Sequence, residues 1–542
     1  MNDLLSNWTE KQRYALAGAG GLLLAAAFPK LDVAGLAWVA PGMILFAALG
    51  AKSPFRAGYV AGLAFHLAAL HWLLFIPVSF YPILGWLALC GFLALYPAVW
   101  AWLCAGSVVR GPWSVVSETW LARQAWALFC AAAWVALEMV QARLFTGFPW
   151  NLLGTSQQRL WPLIQVASFT GVYGVSFVVV WFSAALLLTL QALAHDPARR
   201  HLWLRHVALP MLAVAGLYAV GWRQIRHRPP PARTLRVALV QPSIPQTLIW
   251  DTRADLARFE EVLKLSSLAL ETKPDLLIWP EAAVPSHPRW DTNLWRAITN
   301  HVVAGGAWLI MGADDVVPRG PDAEDDFNSS FLISPRGEMV ATYRKRRLVI
   351  FGEYVPLVRW LPFAKWLTPI TGGFTPGDGV VPFEMPDLGA RTATLICFED
   401  VFPQLVRESA APDTDFLVNI TNDGWFRESA AHWQHAATAA FRAVENRLPL
   451  VRCANNGLTC WIDETGVMRE VQFGDSPDIY RAGIKTAEIP LLSGAKRAPT
   501  FYTRHGDVFG WGCVIVGAGG WAALLSGRRG RSGSQADQRS AE

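Results

Sequence analysis

The sequence predicts a chain in two parts, a polytopic α-helical membrane domain of about eight spans and an α/β domain inserted before the last span. Three observations carry this. Of 542 residues, 53% are hydrophobic and 16% charged, against a charged share of ~25% in ordinary soluble proteins. Eight apolar runs approach the ~20 residues that cross a hydrocarbon core. Between Arg223 and Arg504 the character changes: charges return and apolar stretches shrink to strand length.

The runs lie at 14–29, 33–51, 57–79, 82–105, 124–142, 163–193, 203–222 and 507–525. Residues 1–10 are polar and lead into no small-residue cleavage site, so the first run is expected to stay as an anchor, ended by Pro29 and Lys30. The stiff, basic RQIRHRPPPAR (223–233) reads as a join. The expected domains are therefore 1–233, 234–495 and 496–542. Within the second, LRVALVQ (235–241), DLLIWPE (275–281), AWLIMGA (307–313), SSFLIS (329–334), ATLICFE (393–399) and DFLVNIT (415–421) read as buried strands. Helical patterns occupy 253–270 and 430–446, and PDAEDDFNSS (321–330) reads as an exposed acidic loop.

With the N-terminus in the cytoplasm, thirteen Lys and Arg fall in short inner segments and the tail, against Lys30, Arg143 and Arg159 in short outer loops. The excess of basic residues marks the inner side, so seven crossings deliver the α/β domain to the periplasmic side of a bacterial inner membrane. The net charge of +5 is thus accounted for by membrane orientation, and no nucleic-acid motif is present. The seven Cys lack zinc spacing; no metal or cofactor is expected. Cys90, Cys104, Cys130 and Cys513 fall in apolar runs as small buried hydrophobes.

Three separated segments of the α/β domain suggest chemistry: Glu281 ending a strand in IWPEAAVP, Lys345 in YRKRRLVIFGEYVP, and Cys397 ending a strand in LICFEDVFP. A free thiol near pKa ~8.5 needs a base and a cationic neighbour to act as a nucleophile at neutral pH. Glu281 can be that base, and Lys345 can stabilise thiolate and oxyanion. Glu353 and Glu399 are candidates to hold Lys345 or the base in place.

Glu, Lys and Cys in that order inside an α/β domain resemble the nitrilase, or carbon-nitrogen hydrolase, superfamily. The long lysine segment is similar to that of apolipoprotein N-acyltransferases, with Ile350 standing where their pattern usually has Pro. ALVQPSIPQTLIWD (238–251), TNDGWF (421–426), ANNGLTCWIDETG (454–466) and, in the membrane half, GFPWNLLGTSQ (147–157) look like the same family. The resemblance implies an αββα sandwich for the soluble domain and a two-step reaction. Cys397 takes an acyl chain from a phospholipid, then passes it to the α-amino group of a lipoprotein's diacylglyceryl-cysteine. It also implies that Trp250 and Trp425 line the acyl or lipid site. Pro149 and Trp150, in a loop on the same side as the catalytic domain, are expected to shape the lipid entrance.

Glu138, an ionisable group in an apolar run, is expected to serve a hydrogen-bonding role; Gln141 occupies the place where the family pattern has Arg. His66 and His71 read as packing residues. Cys453 and Cys460 flank Asn456-Gly457, a hairpin-turn signal that would place them opposite each other and open to a disulfide. Two other readings stay open on the sequence: an anchored amidase whose thioester is resolved by water, and a transporter or scaffold carrying an inactive nitrilase-like domain.

Overall fold

In the computed structural model, residues 8–110, 119–195, 198, 204–228, 230–320, 323–356, 373–491 and 498–539 are described. The chain divides into two compact units: Met1–His71, Leu84–Arg226 and His505–Glu542 form one, and Trp72–Ile83 with His227–Arg504 the other. The boundaries read from the sequence, 233 and 495, lie inside the second unit. That unit also takes Trp72–Ile83, the end of the apolar run 57–79 and the start of the run 82–105.

The first unit is helical: α1 (Glu10–Ala26), α2 (Ala40–Gly50), α3 (Pro54–Ala69), α4 (Tyr81–Leu93), α5 (Leu95–Arg110), α6 (Trp120–Gln141), α7 (Val172–His195), α8 (Arg205–Arg226) and a final helix Val508–Arg539. Their starts follow local chemistry. Thr9 and Gln12 form a capping box at α1, and Ser53 and Thr119 cap α3 and α6 through their hydroxyls. Gly21 brings α1 against α3: a Cβ there would lie 2.1 Å from the Ala61 carbonyl oxygen. Indoles bridge α5 and α6, with Trp100 Nε1 donating to Cys130 O at 2.8 Å and Trp126 Nε1 to Cys104 O at 3.2 Å.

Among the described residues, four helical stretches are long and apolar enough to cross a membrane: Tyr81–Val108, Trp120–Gln141, Val172–Ala194 and Val508–Ser526. Eight spans are expected from the sequence. The difference lies in where helices end: α1 has 17 residues and α3 has 16, Ala34–Gly50 is a shorter apolar stretch, and α8 bears Arg205, Arg223 and Arg226.

Among the described residues the second unit holds two six-stranded sheets, in the orders β12-β1-β2-β3-β4-β5 and β11-β10-β9-β8-β7-β6; their edges are β12 (Gly483–Leu491), β11 (Met468–Arg469) and β6 (Pro382–Met385). The strands that place the site are β1 (Arg233–Gln241), β2 (Leu276–Ile278), β3 (Trp308–Gly320), β4 (Ala323–Ile333), β5 (Met339–Arg344), β7 (Ala390–Ile396), β8 (Phe416–Thr421), β9 (Leu450–Ala454) and β10 (Cys460–Ile462). Parallel pairing of β1-β2-β3 and of β7-β8-β9 forms the two centres.

Period-two alternation decides what each strand buries. Val237, Leu239, Ile278 and Ile310 face Ile396, Val418, Ile420 and Val451 in a core between the sheets. Ala238, Val240, Leu277 and Met311 face outward, onto Phe259 and Val262 of α9 (Asp255–Glu271) and Ile298 and Val302 of α10 (Thr292–Gly305). Burial on both faces is why these strands read as continuous apolar runs.

Two expectations need correction. Residues 323–330 are not a loop but the first part of β4, paired with β3 and β5; acidic Glu324, Asp325 and Asp326 sit at its open end, and from Phe327 onward it is buried. Residues 321–322 lie outside the described residues. In the β9-β10 hairpin, Cys460 opposes Arg452 rather than Cys453, because the loop is longer than a two-residue turn. Both cysteines are free, and Cys453 Sγ instead contacts the carbonyls of Val240 and Ile278 at 3.4 and 3.3 Å.

Candidate active site

Glu281 follows β2, on a turn whose next residue, Ala282, has φ +54°. Gly312 on β3 allows the close approach: a Cβ there would meet Pro280 O at 2.6 Å and Glu281 Cα at 2.7 Å. Lys345 follows β5, its N–H donating to Asn328 O at 2.8 Å. Cys397 follows β7 at φ +53°, a conformation that costs a non-glycine residue about 1–3 kcal/mol and persists where the surroundings over-determine it.

Glu281 and Lys345 are buried and in contact, with Glu353 as their third member. Lys345 Nζ donates to Glu353 Oε1 at 2.6 Å and to Glu281 Oε1 at 3.4 Å. Asn328 Nδ2 donates to the same two oxygens, at 3.2 Å and 2.8 Å respectively. The second oxygens are held by the backbone: Glu281 Oε2 accepts from Asn422 N at 2.9 Å and Glu353 Oε2 from Val349 N at 2.8 Å. Burial works against the Lys345 ammonium, but the Glu353 and Glu281 carboxylates outweigh it and hold its pKa well above the ordinary amine value.

Cys397 is half-buried. Burial pushes its thiol well above the usual range, Glu281 pushes it further, and Lys345 pulls it back. The resting group is therefore a thiol beside a carboxylate able to take its proton, and the buried ammonium favours the anion once formed.

Glu399 does not touch Lys345. It is fully buried and accepts from Ile396 N at 2.8 Å, Arg346 N at 2.7 Å, Arg347 N at 3.1 Å and the Tyr343 hydroxyl at 2.9 Å. It ties the lysine segment to the nucleophile turn through the backbone.

Trp250 and Trp425 meet edge to face, centroids 5.1 Å apart. Trp250 is 48% exposed, and Trp425 lies three residues beyond Asn422, whose N–H holds Glu281. Pro149 and Trp150 belong to the helical unit, where both are buried and Trp150 stacks near Phe148. Glu138 is buried there too, accepting from Trp134 Nε1 at 2.9 Å and Leu153 N at 2.7 Å, so it anchors the 147–157 segment. His66 Nδ1 donates to Gly62 O at 2.8 Å.

Sequence reasoning misses Asn328, Asn419 and Asn422. Asn419 Nδ2 donates to Cys397 O at 2.9 Å. The available signal was a polar residue at the centre of an otherwise apolar strand, LVNIT, which must find a buried partner.

The arrangement is similar to known proteins in both units. The profile described as apolipoprotein N-acyltransferase N-terminal domain matches residues 20–185, and that described as carbon-nitrogen hydrolase matches 236–481. A Geobacter metallireducens protein named apolipoprotein N-acyltransferase is 36% identical over 96% of this chain and 96% of its own. One of the same name from Chlorobaculum tepidum is 30% identical over 88% of this chain and 96% of its own. Among solved structures, a mutant amidase of Nesterenkonia sp. AN1 is 18% identical at a TM-score of 0.35, covering 47% of this chain and 93% of that one.

Proposed function

Because the chain belongs to the apolipoprotein N-acyltransferase family, we propose that it moves an acyl chain from a phospholipid, through a thioester on Cys397, to the α-amino group of a diacylated lipoprotein's N-terminal cysteine. The observation that carries the reading is one buried ammonium, Lys345, shared by Glu281 and Glu353 within electrostatic reach of a half-buried thiol on a left-handed turn.

In the first step Glu281 takes the Cys397 proton as sulfur attacks the donor's ester carbonyl. Lys345 stabilises the tetrahedral oxyanion. The carbon–oxygen bond breaks and the lysophospholipid leaves with that proton. In the second step the acceptor's neutral amine attacks the thioester, Glu281 receives the amine's proton, and the thiolate departs and is reprotonated. A thiolate is a good leaving group, and an amine attacks a thioester readily.

Glu353 holds Lys345, and Glu399 holds the segment that carries it. Trp250 and Trp425 line the acyl site, and Pro149 and Trp150 shape the lipid entrance. The four apolar helices fit a membrane protein. We place the chain in the bacterial inner membrane as a multi-pass protein, with helical segments at 1–233 and 496–542 and the catalytic part, 234–495, on the periplasmic side. The basic asymmetry of the short loops supports that orientation.

The test is mass spectrometry of the intact chain after incubation with phospholipid, then with a diacylated lipopeptide. An acyl adduct mapped to Cys397 and discharged by the lipopeptide is expected. An adduct on Cys453 or Cys460 with Cys397 unmodified overturns the assignment. Discharge by water alone, with no acylated lipopeptide, favours an amidase.

A further inference from the structure

Beside the nucleophile turn lies a second charged cluster that the acyl-transfer steps do not use. Asp400 belongs to the turn that Cys397 begins, Asp423 to the turn after β8, His435 to α11 (Ala431–Asn446) and Arg452 to β9. All four are at most 2% exposed. His435 bridges the two carboxylates, Nε2 lying 2.6 Å from Asp400 Oδ1 and Nδ1 2.9 Å from Asp423 Oδ1. Arg452 bridges their other oxygens, Nη1 to Asp400 Oδ2 at 2.6 Å and Nη2 to Asp423 Oδ2 at 3.3 Å. With a carboxylate oxygen at each ring nitrogen, the imidazole carries both protons, since a neutral ring would turn a lone pair on one of them. Burial opposes that charge, but Asp400 and Asp423 outweigh it and raise His435 to about 9, against a smaller opposing push from Arg452.

Hydrogen bonds connect this closed ring to Cys397, and the main chain connects it to the residue that holds Glu281. Arg452 Nη1 also donates to Asn419 Oδ1 at 3.2 Å, and the Asn419 amide donates to Cys397 O at 2.9 Å. On the other flank, Asp423 adjoins Asn422, whose N–H donates to Glu281 Oε2 at 2.9 Å. Buried ion pairs contribute little net stability compared with apolar residues of the same volume. What such a cluster supplies is a fixed geometry, and here that geometry ends on the carbonyl of a residue held at φ +53°.

We infer that the Asp400–His435–Asp423–Arg452 cluster, acting through Asn419 and Asn422, is a positioning device that fixes the Cys397 sulfur against the Glu281 carboxylate. Its members are positioning residues and touch no substrate. The inference rests on Cys397 being the nucleophile, as proposed above.

The experiment uses the full chain in detergent with two variants. Asn419→Ser removes the arm to Cys397 and leaves all four charges in place; His435→Gln removes the bridge. Three quantities are read: the thermal midpoint, the rate of Cys397 alkylation by iodoacetamide across pH, and kcat and KM for transfer from phospholipid in mixed micelles to a diacylated lipopeptide. Both variants are expected to lower kcat and the alkylation rate together, by up to ~10²-fold, with KM unchanged, since small misplacements of reacting groups cost this much. Arg452→Lys, which keeps the charge and loses the fork, is expected to fall between them and wild type. Alkylation and kcat at the wild-type level, or a rise confined to KM, overturn the inference. Should His435→Gln not fold, Asn419→Ser decides by the same two rates. Alkylation needs no lipid, so a wild-type chain that is alkylated at Cys397 but transfers nothing overturns the acyl-transfer reading and leaves positioning to be judged on alkylation alone.

Discussion

Two buried charged clusters flank Cys397, and they differ in balance. Around Lys345 one cation faces two carboxylates, Glu281 and Glu353; around His435 two cations face two carboxylates, each cation touching both. The balanced cluster has no oxygen to spare and no reason to exchange a proton. The unbalanced one carries a surplus of negative charge, and Glu281, at the longer 3.4 Å from Lys345, is the carboxylate less committed to the ammonium. Under the proposed mechanism the Cys397 proton goes to that side, and unequal partnering separates the group proposed to react from those proposed to hold.

Substitutions can break this contrast, and the largest effect is expected at the sulfur. Cys397→Ala removes the sulfur proposed to hold the acyl chain, so adduct and turnover are expected to vanish by mass spectrometry and by transfer assay. Cys397→Ser is expected to transfer little or nothing, because neither Glu281 nor Lys345 can lower a hydroxyl's pKa far enough. Glu281→Gln is expected to lower kcat by ~10²–10⁴-fold while leaving a slow trace of adduct, the usual range for losing a general base. Lys345→Met is expected to cost ~10²–10³-fold or more, because one oxyanion donor alone is worth that much. If Glu281→Gln and His435→Gln lowered the rate equally and shifted the pH profile alike, the distinction between reacting and holding clusters would fail.

A smaller effect concerns pH. The folded pKa of His435 is raised, so its contribution to stability is complete below the unfolded value of ~6.5 and is lost as pH rises through about 9. The groups facing it are Asp400, Asp423 and Arg452, with His432 on its own helix. The thermal midpoint of the wild-type chain is expected to decline from pH 7 to 10, and His435→Gln is expected to flatten that slope; identical slopes would remove the imidazolium from the cluster. The smallest effect is expected at Cys453 and Cys460. Each is buried and free, and replacing either by Ala is expected to leave acyl-enzyme formation unchanged, as an intact-mass adduct on Cys397 would record.

The central strands β1, β2, β3, β7 and β8 are legible in the sequence because sheets buried on both faces write apolar runs, and Glu281 and Cys397 stand where two of them end; Lys345 follows β5, a half-exposed strand that writes no such run. The holding cluster is not legible. Arg452 lies in LVRCA and Asp423 in TNDGWF, and nothing in one-dimensional spacing shows that β8, β9, α11 and the nucleophile turn converge. The β4 start was misread because acidic residues at an open strand end look like a loop until the partner strand is known. Helix ends in the first unit depended on caps and breaks within apolar runs, which a count of apolar length overlooks. The hairpin register that separates Cys453 from Cys460 was set by loop length, to which the Asn-Gly signal was a poor guide.

Glu138 bears on the order in which this chain is built. Glu138 lies in the last turn of α6, and an ionisable group in an apolar span needs partners before it can enter lipid. Among its partners, Trp134 lies one turn earlier on the same helix, the Leu153 amide arrives fifteen residues later, and Ser176 belongs to α7, the next long helix. All three therefore reach Glu138 during synthesis of one hairpin, α6 to α7. The helix can settle as soon as that hairpin leaves the translocation machinery, long before the final helix at Val508 has been translated.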